Sequence, residues 1–470
     1  AHPPRRKYFF QETSKFMKIQ LSDHFTYGRL MKFVYPSIVM MIFTSVYGIV
    51  DGVFVSNIAG ETPFAAINLT WPFIMLLAAF GFMAGTGGNA VVSKAMGEGD
   101  NPRALRYFSM VVEFTVIVGT VIAVIATIFA EKICLFLGSS KEMLPYCLIY
   151  VRVLFPCLPA FMLQNVFQVF FSTAEKPKYG LYVTVAAGVG NIILDAVFIA
   201  GFKWGILGAA LGTALSQIIG GIVPLLYFIK KDNGSTLFLK PSKPEIRVLG
   251  KVCTNGASEL MTNISMSLVS ILYNYKLIEL AGEDGINAYG IIMYVNFIFA
   301  ASFLGFAVGS APIVGFNYGA ENHTELQNVF KKSLHIVGIL GIVMTALAEI
   351  FATPLSAIFI SKNPELLKMT VHGFRLFSLS FLLNGFNIYS SAFFTALGNG
   401  GVSAFISFMR TLVFQIIPLF TLPLILGIDG IWLSVVVAET LGVFVSFICF
   451  AIYKKRYHYI AEKPEKFVEN

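Results

Sequence analysis

The chain has 470 residues, of which 56% are apolar and only 13% are charged, and it contains 46 phenylalanines. This composition does not describe a soluble surface, so water cannot be the main solvent of the protein. The formal net charge of +8 arises from basic residues that lie between apolar segments, which argues against nucleic acid as a partner. The five cysteines include no C-x-x-C motif, so neither a disulfide framework nor a thiolate metal site is indicated.

The N-terminal segment, residues 1–28, precedes the apolar part of the chain. It is rich in basic residues and lacks the apolar core of a cleavable signal peptide. The sequence starts without an initiator methionine and a good start stands at Met17. We therefore expect part of residues 1–16 to be sequence added for expression.

Apolar runs of about 20 residues or more, the length that crosses ~30 Å of hydrocarbon, recur from Leu30 to Tyr453. This pattern predicts an all-α membrane protein with twelve transmembrane helices. The first six are predicted near residues 29–57, 62–93, 105–130, 143–170, 180–200 and 206–229. The other six are predicted near residues 246–281, 285–316, 327–352, 366–396, 401–425 and 428–453.

A polar connection at the midpoint of the spans, residues 230–245, predicts a linker between two six-helix bundles, residues 29–229 and 246–453. Three short motifs recur at one constant offset, which we call the repeat offset: Ala59-Gly60-Glu61 as Ala281-Gly282-Glu283, Gly97 as Gly319, and Thr173-Ala174 as Thr395-Ala396. Motifs at one constant separation indicate an internal repeat. Because six spans return the chain to its starting side, the repeat is predicted to be parallel.

The distribution of basic residues predicts the orientation in the membrane. About 25 of the 34 Lys and Arg residues fall on the side of the N-terminus, the linker and the tail, residues 454–470. By the positive-inside rule, residues 1–28, the linker and the tail are cytoplasmic. We expect a multi-pass protein of the cell membrane.

Two acids stand inside predicted spans, where a charge costs at least ~2.5 to 3.5 kcal/mol. Asp51 lies one helical turn after Tyr47, and Asp195 lies one turn after Asn191. Both acids fall in the outer half of the membrane. If they face each other, a proton or Na⁺ would relieve their repulsion. The alternative is that each acid only packs between helices and bonds its polar neighbour.

The repeat favours an ion site over a packing role for these acids. At the repeat offset, Asp51 corresponds to Tyr273 and Asp195 corresponds to Ile417. An acid needed only to build the fold should appear in both halves.

Other intramembrane residues have less specific interpretations. Glu259, near the inner part of the seventh span, fits a packing role and a gating role equally well. Pro36 removes a backbone donor and should kink the first helix, either as a hinge or as a static bend. We expect further charges to pair between helices, namely Glu113, Arg152, Arg375, Arg410 and Glu439.

The segments F-T-S-V-Y-G-I-V-D-G-V-F-V after Pro36, P-F-A-A-I-N-L, G-T-G-G-N-A and G-N-I-I-L-D carry a family resemblance. Over residues 19–453 the chain resembles multidrug and toxic-compound extrusion (MATE) transporters, in the branch of DinF-like and MepA-like proteins. The resemblance implies a cation site in the amino-terminal half and a nearby cavity. Its residues would be Asp51, Asn191, Asp195 and Thr213, with Tyr47 and Tyr150 facing the cavity and Pro36 as the kink.

The NorM-like branch of the family carries an acid deeper in the seventh helix, where this chain has Ser265. This difference argues against a Na⁺ site in the carboxy-terminal half.

The resemblance implies a non-enzymatic antiporter that exports cationic, amphipathic organic compounds by alternating access. The coupling ion would be H⁺ or Na⁺, with no further metal or cofactor, and we expect a monomer in the bilayer. The alternative is a flippase for a lipid-linked precursor. An ion channel would need a continuous polar pore, and the sequence lacks the G-x-x-x-x-G-K-[ST] loop of ATP-driven pumps.

Overall fold

A computed structural model describes residues 19–54, 58, 61–360 and 363–460. The segment 1–16 and most of the tail lie outside the described residues. Helices dominate the described chain, and none of its residues lies in a β-strand. The helices are α1 (Tyr27–Phe54), α2 (Glu61–Gly97), α3 (Asn101–Ile128), α4 (Ala130–Phe136), α5 (Leu144–Leu154), α6 (Leu158–Thr173), α7 (Pro177–Asp195), α8 (Ile206–Ile229), α9 (Ile246–Gly319), α10 (His323–Phe359), α11 (Pro364–Ser378), α12 (Phe381–Ala396), α13 (Gly400–Phe408), α14 (Phe414–Thr421), α15 (Pro423–Leu426) and α16 (Ile428–Tyr457).

Ten segments of the described chain are long and apolar enough to cross a membrane, and the pair α11 and α12, bent by 49°, makes an eleventh. The longest, α9, has 74 residues, or roughly 110 Å of helix at 1.5 Å per residue. Non-helical backbone at Gly282 (φ 62°, ψ −149°) divides α9 into a first arm, residues 246–281, and a second arm, residues 283–319. With α9 counted as two spans, the described chain contains the predicted twelve.

Several local features recur at the repeat offset. Asp100 caps α3 by accepting from the Arg103 backbone N–H at 3.0 Å, and Asn322 caps α10 by accepting from the Glu325 N–H at 3.1 Å. Such caps satisfy backbone donors that a helix start leaves free. Gly205 and Gly427 share another unusual backbone conformation, with φ of 55° and 59° before α8 and α16. Only glycine adopts this conformation readily.

Glycines allow close packing between helices of the amino-terminal half, residues 19–229. A Cβ on Gly81 of α2 would lie 2.6 Å from the Met162 Cα of α6. On α8, Gly208 packs in the same way against Phe198. Small residues at such contacts let neighbouring helices approach closely.

The two halves of the chain meet in a seam at one end of the molecule. We name this end the terminal face, because α1 begins there and α2, the second arm of α9 and α16 end there. Gly97 packs against the Phe316 carbonyl, and Gly319 packs reciprocally against the Lys94 carbonyl. Any Cβ at either glycine would collide with the opposite backbone. Further from this face, Gly305 of the second arm packs on Ile38 of α1.

Candidate functional site

Five helices of the amino-terminal half, namely α1, α5, α6, α7 and α8, surround one buried polar cluster. Helix α1 contributes Tyr47 and Asp51, and α7 contributes Asn191 and Asp195. Asp195 is fully buried and is the last residue of α7 before a π-helical segment, Ala196–Gly201. Such segments widen a helix by one residue and are frequent at functional sites.

The structure brings the two predicted acids together. The carboxyl groups of Asp51 and Asp195 lie close together. Two ionised carboxylates can only accept hydrogen bonds, so this contact becomes a bond only when a proton lies between them. An unshielded pair of negative charges here would be strongly repulsive because the surroundings are apolar.

Three of the four carboxylate oxygens of these acids lack donors from the described chain. Both carboxylate oxygens of Asp195 and the Oδ1 atom of Asp51 are buried without a hydrogen-bond partner. The same holds for three neighbouring groups, the Asn191 Nδ2, Thr213 Oγ1 and Gln164 Oε1 atoms. Each such group costs about 1–3 kcal/mol, and more when it is charged. A concentration of unpaired polar atoms at one place therefore fits a site that receives a ligand.

The chemistry of these groups suits a small hard cation. Two carboxylates, a hydroxyl and a side-chain amide offer the oxygen ligands that such ions prefer. A proton shared by the carboxyl groups would satisfy the same cluster. The geometry is compatible with either ion.

Two tyrosines border the cluster, as the resemblance implied. Tyr150 of α5 is buried beside Thr213 and both carboxyl groups. Tyr47 lies beside Asp51, and its ring packs against Gly188 of α7, where a Cβ would come within 2.8 Å of the Tyr47 Cδ1 atom. The absence of a side chain at Gly188 thus allows the ring to sit between α1 and α7.

Sequence reasoning missed two residues of the cluster. Gly212 of α8 packs on one of the two acids, since a Cβ there would collide with the Asp195 Oδ1 atom. Gln164 of α6 is buried beside Tyr47, and its carboxamide packs on Gly220 of α8. The signal for Gln164 was present in the sequence, since Gln164, Asn165 and Gln168 are amides inside one predicted span.

Gln164 also borders a small cavity between α6, α7 and α8. Gln168, Thr184, Gly220 and Pro224 contribute to its walls. The cavity has room for about one water molecule. It extends the polar cluster along α6 in the direction of the terminal face.

Pro36 and Glu259 lie outside the cluster. Pro36 stands within α1, and the helix continues through it without interruption. Glu259 belongs to the first arm of α9 in the carboxy-terminal half, where its charged neighbour is Arg410.

The carboxy-terminal half pairs its charges, as the sequence predicted for Arg410 and Glu439. The Arg410 Nη1 atom lies 3.4 Å from the Glu439 Oε1 atom. The Asn387 amide donates to the Glu439 Oε2 atom at 2.7 Å and to its backbone carbonyl at 2.9 Å. Arg375 and Glu349 also pair, at 3.8 Å.

A twelve-span helical fold with an acid cluster buried inside one half defines a multi-pass membrane transporter and not an enzyme. The MatE family model matches the chain twice, over residues 36–197 and 260–421. The chain therefore belongs to the MatE family, the multidrug and toxic-compound extrusion transporters.

Similar proteins agree with this assignment. The chain is 26% identical to a multidrug export protein MepA of Staphylococcus haemolyticus, over 97% of each chain. It is 25% identical to MepA of Staphylococcus aureus strain MRSA252, covering 88% of this chain and 90% of the relative. A crystal structure of a MATE protein in complex with MaL6 has the same fold, with a TM-score of 0.88 at 20% identity, covering 92% of this chain and 98% of that chain.

Proposed function

We propose that the protein is an antiporter that exports small organic compounds, cationic and amphipathic in character, in exchange for H⁺ or Na⁺. The observation that carries this proposal is the cluster at Asp51 and Asp195, where three of the four carboxylate oxygens lack donors from the described chain. A bound cation would remove both the repulsion between the acids and the cost of their unpaired oxygens. Asn191, Thr213, Tyr47 and Tyr150 would complete the site.

Coupling follows if the cation changes how the helices around the cluster pack. Because Asp51 and Asp195 belong to α1 and α7, neutralising them alters the force between these two helices. A substrate that binds the alternative arrangement would then bind less tightly when the cation is bound, and the reverse must hold equally. Pro36 is the proposed hinge, because α1 has a missing backbone hydrogen bond there.

Alternating access would involve two six-helix halves, residues 29–229 and 246–453, joined by the linker 230–245. The double match of the family model and the helix caps that recur at the repeat offset support this division. The reciprocal glycine contacts support a state that is closed at the terminal face. The excess of basic residues on that side makes it the cytoplasmic one, so this state would face outward, with both termini in the cytoplasm.

The nature of the substrate is proposed from the relatives. The MepA proteins of two staphylococci are named multidrug export proteins. A plasma-membrane location follows from the same likeness, and we propose that the monomer is the transport unit. The family match favours drug export over the flippase alternative.

Efflux of a cationic dye such as ethidium from proteoliposomes tests the proposal. We expect efflux to depend on an imposed pH gradient or an imposed Na⁺ gradient, and the effective gradient identifies the coupling ion. Protein-free liposomes and liposomes with a dissipated gradient serve as controls. Dye movement that ignores both gradients would contradict the antiporter assignment.

A further inference from the structure

A short segment ahead of α1, residues 21–26, lies across the seam at the terminal face. We call this segment the strap. Leu21 and Phe25 are fully buried although they lie outside the helices. The strap continues directly into α1 of the amino-terminal half, and its Leu21 N–H donates to Glu175 of that half at 3.0 Å. Its other bonds to distant parts of the chain reach α9 and α10 of the carboxy-terminal half.

Glu325, in the first turn of α10, is the centre of these bonds. Its Oε1 atom accepts from the Phe25 backbone N–H at 2.9 Å and from the Asn328 side chain at 2.8 Å. Its Oε2 atom lies 2.6 Å from the His24 Nδ1 atom. Glu325 is buried, and both oxygens of its carboxyl group have hydrogen-bond partners.

The backbone carbonyls of the strap are held as well. The Phe25 carbonyl accepts from the Asn328 side chain at 3.0 Å and from the Lys332 Nζ atom at 2.7 Å. The Leu21 carbonyl accepts from the Asn317 amide of the second arm at 3.4 Å. These bonds tie the start of α1 to the opposite half of the chain.

The linker also connects the two halves at the terminal face, but it leads into the carboxy-terminal half and contacts the amino-terminal half. It leads into the first arm of α9, and it packs on α3 of the amino-terminal half. The Lys240 N–H donates to Ser109 at 2.8 Å, and Arg106 lies 3.7 Å from Glu245. This ion pair is about half exposed on both sides, and exposed pairs contribute little. The buried bonds of the strap make it the stronger crossing.

We propose that the strap is the lock of the terminal face and that Glu325 is the gate residue that holds it. The proposal rests on the alternating access proposed above, because opening this face requires α1 to separate from α9 and α10. That movement breaks the bonds of the strap to Glu325, Asn328 and Lys332. The strength of these bonds then sets how often the terminal face opens.

Distances between spin labels on the terminal face test the lock without requiring transport. Labels at Lys178 of α7 and Lys454 of α16, both exposed, report on the separation of the halves. The full-length chain would carry them in lipid nanodiscs, with the five native cysteines replaced. We expect Glu325→Ala to raise the ratio of open to closed distances about tenfold, the equivalent of roughly 1.4 kcal/mol.

Three further variants make the result specific. Glu321→Ala removes an exposed acid in the turn that precedes α10. This variant should leave the distances unchanged. Asn328→Ala removes one bond to the strap and one bond to Glu325 but no charge, and it should also favour the open distances if Glu325→Ala fails to fold. Arg106→Ala, at the weaker crossing, should shift the distances less than either strap variant.

Unchanged distances in both Glu325→Ala and Asn328→Ala would overturn the lock, whatever the efflux assay shows. If the distances shift as expected but the parental protein shows no gradient-driven dye efflux, the antiporter proposal fails and the lock stands. The two results are therefore separable.

Discussion

The two halves of the chain treat buried polar groups in opposite ways. In the amino-terminal half, Asp51 and Asp195 lie close together, and three of their four carboxylate oxygens lack donors from the described residues. In the carboxy-terminal half, Tyr273 stands at the repeat offset from Asp51, and its hydroxyl donates to Gln415 at 2.9 Å and contacts Ser434 at 2.6 Å. Asp51 thus has a carboxylate oxygen without a hydrogen-bond partner, whereas the hydroxyl of Tyr273, at the matching position of the other half, has two partners.

Buried charged side chains of the carboxy-terminal half also have partners. Arg410 and Glu439 neutralise each other, and Asn387 supplies further hydrogen bonds to Glu439. A buried network with its partners present stabilises one packing arrangement. A buried cluster whose polar groups lack partners depends on a bound ligand for the same stabilisation. We therefore expect changes in the amino-terminal half to alter coupling and changes in the carboxy-terminal half to alter stability.

The largest effect on coupling is expected from the acids themselves. Asp51→Asn and Asp195→Asn each remove a charge while nearly preserving shape, so the protein should insert normally and lose gradient-driven efflux. Dye efflux at matched expression and under the same gradient measures this. A packing acid would tolerate asparagine, because the amide can still bond its neighbours. Full efflux by Asp51→Asn would falsify the ion-site assignment.

A smaller effect is expected from Gly212→Ala, because the added methyl group would collide with the Asp195 carboxylate. Overpacking of this kind costs about 1–3 kcal/mol, so the apparent affinity for the coupling cation should fall about tenfold. The cation concentration that gives half-maximal efflux measures this affinity. Gly190→Ala is the matched control, because its nearest atom would be 3.6 Å away, in ordinary contact. Equal affinities in the two variants would argue against direct support of Asp195 by Gly212.

The smallest effect on coupling, but a large one on stability, is expected from Arg410→Met. It leaves Glu439 buried without its counter-charge, which costs about 3–5 kcal/mol. The unfolding temperature in detergent should fall, and addition of Glu439→Gln should restore much of it. The ion dependence of the remaining efflux should be that of the parental protein. A changed ion dependence at normal stability would move the coupling function into the carboxy-terminal half.

The sequence was sufficient to predict the fold class, because a helix that crosses the bilayer needs about 20 predominantly apolar residues. It also predicted Asp51, Asn191 and Asp195 as neighbours, since a charge inside a span is costly enough to be conspicuous. The missed residues, Gly212 and Gln164, carry no charge and are therefore less conspicuous in the sequence. Their roles depend on which side chain faces them from another helix. The kink at Pro36 stays a prediction, which the transport rate of Pro36→Ala would test.

The strap lies beyond sequence-based prediction for a related reason. Phe25 and Glu325 are 300 residues apart, and neither stands in a motif. Only the fold reveals that an ordinary acid at a helix start holds the segment before the first span.

That separation also dictates an order of events during biosynthesis. The strap leaves the ribosome first, but the helix that receives it is made only after more than two thirds of the chain has been synthesised. Until then Leu21 and Phe25 have no carboxy-terminal surface to cover them. The amino-terminal half must therefore enter the membrane with its terminal face unsealed, and the arrival of α10 completes the closure.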